Sequence, residues 1–284
     1  MTEENNSAGH GYWGTMADRY YGQQPPLRIS ASERDIYIEC TQPWLTAATT
    51  PRVLVMGATP DFFNLPWPPG TNLLAVDRSA AMLKSVWPGS ELQASQQDWT
   101  DMDLPDASRD VALCDGGLTF FQPMQALQTL AENLGRIIAP GGAFIVRLFV
   151  EAEARETPAE IFAEFVDGKI PNASELKVRL WFALHASDGP GVRLHDVWRC
   201  YRDAIPNPGA IASRIPWQPA EWLSMDAYKN ADEVYYFPTV DEVTVAFSGQ
   251  PGGFSRPVVK TPTGPCWQHV KILTFTRSPL MQMI

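Results

Sequence analysis

Between Arg52 and Leu148, short apolar runs alternate with helical patterns, which leaves little choice but a mostly parallel sheet covered by helices. The spacing predicts strands over 52–56, 72–76, 91–95, 111–114 and 143–148, and helices over 79–87 and 123–138. Pro140-Gly141-Gly142 reads as the turn that ends the second helix. Residues 1–22 form a polar leader with scattered aromatics, Pro25-Pro26 follow, and Ser30 or Ser32 can cap a helix.

After Phe149 the pattern changes. Thr157-Pro158-Ala159-Glu160 and Asn172-Ala173-Ser174-Glu175 are capping boxes that start two helices in succession. The stretch to Phe237 is rich in Trp and Tyr (Trp181, Trp198, Trp217, Trp222, Tyr235 among them) and reads as an all-helical lid. A helix over 239–247, a turn at Gly252-Gly253 and a strand over 270–276 return to the core pattern. The expected architecture is α/β: a doubly wound, mostly parallel sheet, with a helical lid inserted after the fifth strand. The expected divisions are a leader and capping helix over 1–50, the core over 51–150, the lid over 151–237, and a closing helix and strands over 238–284.

Composition narrows the function. The chain of 284 residues is 45% hydrophobic and 19% charged, a globular balance, and no apolar run approaches the roughly 18 residues of a membrane helix. Glu3, Glu4 and Asn5 stand where a secretory signal needs a basic start, so a cytoplasmic location and no membrane partner are expected. Cys40, Cys114, Cys200 and Cys266 are far apart and form no C-x-x-C pair, so neither a metal site nor a disulfide framework is expected. With 22 basic against 32 acidic residues the net charge of −10 repels a phosphate backbone, and no nucleic-acid partner is expected. Oligomeric state is not legible.

Chemistry concentrates at the strand ends. Val53-Leu54-Val55-Met56-Gly57-Ala58-Thr59-Pro60-Asp61 is a strand breaking into a glycine turn, where a ligand can approach the backbone. About twenty residues on, Leu73-Leu74-Ala75-Val76 ends in Asp77, whose carboxylate can accept both hydroxyls of a ribose, with Arg78 beside it. Asp98-Trp99 follow the third strand and can meet an adenine edge; Asp115-Gly116-Gly117 follow the fourth. Taken singly, each has a plainer reading: Asp77 as the cap of the next helix, Asp98 as a surface turn residue. Their ordered spacing at the carboxyl ends of strands favours a ligand site.

This order of motifs resembles that of the class I S-adenosylmethionine-dependent methyltransferases, over residues 52–149 and the closing helix and strand. The resemblance implies a Rossmann-like core with a doubly wound, mostly parallel seven-stranded sheet that binds S-adenosyl-L-methionine. Gly57 with Ala58 and Thr59 would hold the methionine part, Asp77 the ribose and Asp98 the adenine. Met82 resembles the apolar residue packed on adenine, and Asp115-Gly116 would face methionine and acceptor. Arg136-Ile137-Ile138-Ala139-Pro140-Gly141-Gly142 resembles the turn before the family's fifth strand. The loop departs from the family, because only the first glycine remains and Val55 replaces the acid that commonly helps hold the cofactor ammonium. Asp61 or Asp115 could take over. A nicotinamide-binding domain needs G-x-G-x-x-G, which this loop lacks.

Tyr12 to Tyr21 resemble leaders that fold over the cofactor in this family, which makes Tyr20 or Tyr21 and the fork of Arg28 candidates for its carboxylate; Arg28 also reads as a surface residue. The expected reaction is methyl transfer to a nucleophilic N or O of a small molecule, which the aromatic lid could sandwich; each of those aromatics also reads as packing of a small helical subdomain. His185 and His195 are candidate bases, each also readable as structural. Arg147, a charge in an apolar strand, must bind an anionic acceptor or pair with Asp115. The altered loop keeps one alternative open: a degenerate, non-catalytic cofactor-binding protein acting in an assembly.

Overall fold

The computed structural model describes residues 7–47, 49–122, 124–185, 189, 191–249 and 252–278. In chain order the elements are α1 (Ser7–Arg19), α2 (Ala31–Leu45), β1 (Arg52–Met56), α3 (Pro60–Phe63), β2 (Asn72–Asp77), α4 (Ala80–Ser85), β3 (Ala94–Gln96), β4 (Arg109–Asp115), α5 (Met124–Ile137), β5 (Ile138–Phe149), α6 (Pro158–Val166), α7 (Ala173–Leu184), β6 (Val192–Arg193), α8 (Leu194–Ala204), α9 (Pro219–Met225), β7 (Val234–Tyr235), α10 (Val240–Phe247), β8 (Val258–Lys260) and β9 (Val270–Thr276). They group into two compact units. One holds the chain through Ser30, Glu151–Phe237 and Gly264–His269; the other holds Ala31–Val150, Pro238–Thr263 and the chain from Val270.

The second unit is the expected seven-stranded α/β sheet, in the order β3-β2-β1-β4-β5-β9-β8. β1 to β5 run parallel, and β9 pairs antiparallel with both β5 and β8. Side chains alternate across β5. Phe144, Val146 and Leu148 enter a core completed by Leu127, Leu130 and Leu134 of α5 and by Val243 and Phe247 of α10. Phe144 stacks on Phe247 at 5.0 Å between ring centroids, and Phe275 lies 5.2 Å from Phe247. At the amino ends of the strands, Arg52 clasps Asp110 through Nη2 at 2.5 Å and Nε at 3.1 Å, tying β1 to β4.

Several boundaries differ from expectation for local reasons. Residues 91–93 form a 3-10 turn, because the Ser90/Gln93 capping box engages the donors of that segment; only 94–96 are strand. α4 stops at Ser85, short of Pro88, which disfavours helix in the residue before it. α5 ends at Ile137, and its expected start at Pro123 lies outside the described residues. Pro140-Gly141-Gly142 is a bulge inside β5 rather than a turn before it: Arg109 pairs with Ile138, yet Val111 already pairs with Ala143. Gly141 has φ +80°, which glycine adopts without strain. β4 and β5 are accordingly longer than predicted.

In the other unit, the leader contains the helix α1, which its polar pattern hid; residues 1–6 lie outside the described set. The 151–237 region is not all helical, since β6 and β7 form a two-stranded antiparallel ribbon. Gly191, with φ +89°, permits it, because any Cβ there would collide with the carbonyl of Tyr235.

Phe247→Ala empties the centre of the aromatic cluster. It is expected to cost about 3–5 kcal/mol of stability, read by urea denaturation of the full chain; a loss under about 1 kcal/mol would show that the cluster does not carry the core.

Candidate functional site

Strand order reverses between β1 and β4, so their carboxyl ends open a crevice of the kind in which open α/β sheets bind ligands. β1 ends in Gly57, whose φ of +91° favours glycine and whose N–H donates to the Val76 carbonyl at 2.8 Å. A Cβ at Gly57 would lie 3.6 Å from the Trp99 ring and 3.9 Å from the Asp77 carboxylate, so these three residues converge. Ala58 and Thr59 behind it are buried, and α3 is a single turn, cut short as Pro66, Pro68 and Pro69 suggest.

Asp77, half-buried at the end of β2, accepts the Ser79 N–H through Oδ1 at 2.7 Å and the Ala58 N–H through Oδ2 at 3.3 Å. Burial raises its pKa, against those two hydrogen bonds and the charge of Arg78. The cap of α4 is Ser79, which accepts the Met82 N–H at 3.3 Å, so Asp77 is not the helix cap. Met82 is buried on α4 and Arg78 is exposed.

Trp99 spans the crevice. Its Nε1–H donates to the Val76 carbonyl at 2.7 Å and its ring stacks on Phe121. A Cβ at Gly117 would lie 2.5 Å from the far edge of the indole, so the Asp115-Gly116-Gly117 turn leaves the ring its room. The neighbouring Asp98 is exposed, and its Oδ1 accepts the Thr100 N–H at 2.8 Å and hydroxyl at 2.6 Å. Burial acts to raise its pKa but is outweighed by those bonds and by Arg78, which leave it lowered.

At the end of β4, Asp115 stands in register with Arg147 of β5, whose Nε donates to Asp115 Oδ1 at 2.5 Å. Arg147 Nη1 reaches Glu33 Oε1 of α2 at 2.9 Å, and all three side chains are buried. Of the two readings of Arg147, the structure forms the pair with Asp115. One guanidinium faces two carboxylates. Burial therefore pushes Asp115 up to about 6, with Arg147 opposing and Glu33 and Asp61 adding to the rise. Tyr37 of α2 donates its hydroxyl to the Cys114 carbonyl at 2.9 Å and fixes the same strand end.

The remaining candidates belong to the other unit. Tyr20 and Tyr21 meet edge to face, and the Arg28 guanidinium lies over the Tyr20 ring at 4.8 Å. His185 is buried; its Nδ1 meets Glu151 Oε1 at 2.7 Å, while Nε2 has no partner among the described residues. His195 accepts the Asn230 N–H at Nδ1 and stacks with Trp198. Its neighbour Asp196 pairs instead with Arg199. The structure thus gathers Gly57, Asp77, Trp99, Asp115 and Gly116 on one set of strand ends and places Tyr20, Tyr21, Arg28, His185 and His195 elsewhere in the chain.

Sequence reasoning missed Glu33 and Tyr37. In the sequence Glu33 looks like an ordinary first-turn acid of a helix; only the unpaired charge of Arg147 signalled that a second carboxylate was needed.

With the unfolded pKa near 4, the folded state alone holds the Asp115 proton between about pH 4 and 6, so this group costs stability as pH rises through that window. Asp115→Asn removes the titration. The stability advantage of the parent over the variant is therefore expected to shrink by about 1–3 kcal/mol from pH 4 to 6 in denaturation curves, and a constant gap would refute the assignment.

Comparison with known proteins agrees with this layout. A family model described as "Methyltransferase domain" matches residues 56–146. No curated protein sequence matches the chain. Among solved structures, a candidate zinc-dependent alcohol dehydrogenase from Rhodobacter sphaeroides aligns with TM-score 0.57 and 12% identity over 96% of this chain and 98% of that one. A candidate O-methyltransferase from Nostoc punctiforme aligns with TM-score 0.52 and 14% identity over 95% of this chain, which spans 62% of that chain. A candidate exported protein from Bordetella parapertussis gives TM-score 0.51 and 13% identity over 93% and 79%. At these identities the likeness is one of fold. No helix among the described residues is long and apolar enough to cross a membrane.

Proposed function

We propose that the chain carries a class I S-adenosylmethionine-dependent methyltransferase domain and transfers the methyl group to a nitrogen or oxygen of a small molecule. The observation that carries the proposal is the convergence of Gly57, Asp77 and Trp99 at the strand ends, on the segment matched by the family.

The residues fit the cofactor. The left-handed turn at Gly57, with no side chain, would let the methionine part approach the backbone there. The Asp77 carboxylate keeps lone pairs for the ribose hydroxyls beyond the two backbone N–H groups it accepts. Met82 offers an apolar surface to adenine, Asp98 a lowered-pKa carboxylate to its amino group, and the Trp99 indole keeps water from the base of the crevice. Val55 is fully buried in β1, so the ammonium falls to Asp61 and Asp115, whose mutual repulsion a cation would relieve. Arg147 then acts by holding Asp115 in place.

When bound, the cofactor's sulfonium supplies an already activated methyl group, so the protein's part is to orient the acceptor, exclude water and take up its proton. His185 is the histidine suited to the last task, since Glu151 orients its ring through Nδ1. The net charge of −10 supports a small acceptor over a nucleic acid. The buried Val55 favours one second reading, cofactor binding without turnover.

Calorimetry with the methyl donor and its demethylated product tests the site. Binding is expected, and Asp77→Ala should weaken it about tenfold or more, the loss of a charged hydrogen-bonding pair; no binding at millimolar concentration sinks the reading. Incubation of a cell extract with methyl-labelled donor tests the acceptor. Label is expected in the low-mass fraction; label in protein or nucleic acid would overturn the small-molecule assignment, and binding with no transfer would leave the non-catalytic reading standing.

A further inference from the structure

The unit that carries α1, α7 and α9 has a cleft of about 300 Å³ within it, the size at which small-ligand pockets begin. Lys177, on α7, lies in its wall and is only 3% exposed. Its ammonium meets the Ser224 hydroxyl oxygen at 3.2 Å and the Tyr228 ring at 4.9 Å, but it forms no ion pair among the described residues. Arg19 of α1 lines the same cleft and adds a second positive charge.

Two acids also line the cleft, but neither pairs with Lys177: Glu221 of α9 accepts the N–H groups of Ala173 and Gln218, which start α7 and α9, and Asp18 is exposed. Asp226, beside Tyr228, accepts the Trp198 indole N–H. A buried ammonium with no counter-charge is costly, and a cleft that adjoins it and a guanidinium is complementary to an anion. Met16, Ala173 and Leu223 add apolar wall, so the complement is an anion with an apolar body rather than a bare inorganic ion.

We propose that this cleft binds a small organic carboxylate, its charge received by Lys177 and Arg19 and its apolar body by Met16, Ala173 and Leu223. The proposal does not depend on methyl transfer. Burial, with Arg19 adding to it, lowers the Lys177 pKa to about 7 in the empty cleft. An anion reverses that shift, so binding above neutral pH draws in a proton.

Calorimetry of hexanoate and benzoate against the full chain provides the test, with inorganic phosphate and hexanol as comparison probes. Both carboxylates are expected to bind, and more tightly than either comparison probe. At about pH 8 the heat should differ between buffers of low and high ionisation enthalpy by the uptake of a proton, and at about pH 6 it should not. Lys177→Met is expected to weaken binding about tenfold or more and Arg19→Met by a smaller factor, the loss of a charge-assisted bond in each case. Lys177→Met also removes a buried charge, so its Tm should exceed that of the parent at acidic pH, which separates loss of the site from loss of the fold. No carboxylate binding at millimolar concentration overturns the proposal. So does binding that survives Lys177→Met, or phosphate binding as well as hexanoate. A borohydride-trapped adduct of Lys177 with hexanal, without carboxylate binding, would overturn it in favour of a carbonyl site.

Discussion

A guanidinium inside an apolar β-strand has to be met by carboxylates, and the architecture of the core unit follows from how Arg147 is met. Alternation along β5 sends Phe144, Val146 and Leu148 into the core shared with α5 and α10, and turns Arg147 to the opposite face. There its partners come from two directions: Asp115 across the ladder from β4, and Glu33 from the first turn of α2. The pair of contacts seats α2 on that face, and the Tyr37 bond to the Cys114 carbonyl secures it one turn further on. Because Asp115 is the last residue of β4, the same cluster fixes the start of the glycine turn that borders the crevice.

The crevice is shaped by an absence of side chains as much as by their presence. Gly57 and Gly117 bracket the Trp99 indole, and a Cβ at Gly117 would overlap it. The ring is held by its hydrogen bond to the Val76 carbonyl, at the end of the strand that presents Asp77. One backbone strand end thus orients both an acid and an aromatic floor. The loop keeps one glycine, Gly57, at the point that the indole and the acid approach.

The two units treat buried cations in opposite ways. Arg147 is given two carboxylates, and burial, with the second carboxylate adding to it, raises the pKa of Asp115. Lys177 is given a hydroxyl and a ring face, and burial, with Arg19 adding to it, lowers its pKa. The former arrangement is closed and structural; the latter is left open toward a cleft.

The strand-and-helix alternation over 52–148 was enough to establish the α/β class, the five parallel strands and the order of acids at strand ends, because side-chain period and strand-end chemistry are local properties written residue by residue. Local reasoning also explains where it stopped. Pro140-Gly141-Gly142 signals a turn in any context, and only pairing with β4 makes it a bulge. Glu33 looks like a helix-dipole acid until Arg147 is found beside it, and Lys177 looks like a surface lysine until α9 covers it. The leader's helix and the ribbon of β6 and β7 left no periodic trace in their short, mixed segments. The sequence by itself determined the class of fold and the positions at which a ligand could be met. Which charges are paired, which are stranded and which ring lies across the crevice was decided by tertiary packing, since burial and counter-charge depend on residues that are 23 to 114 positions apart.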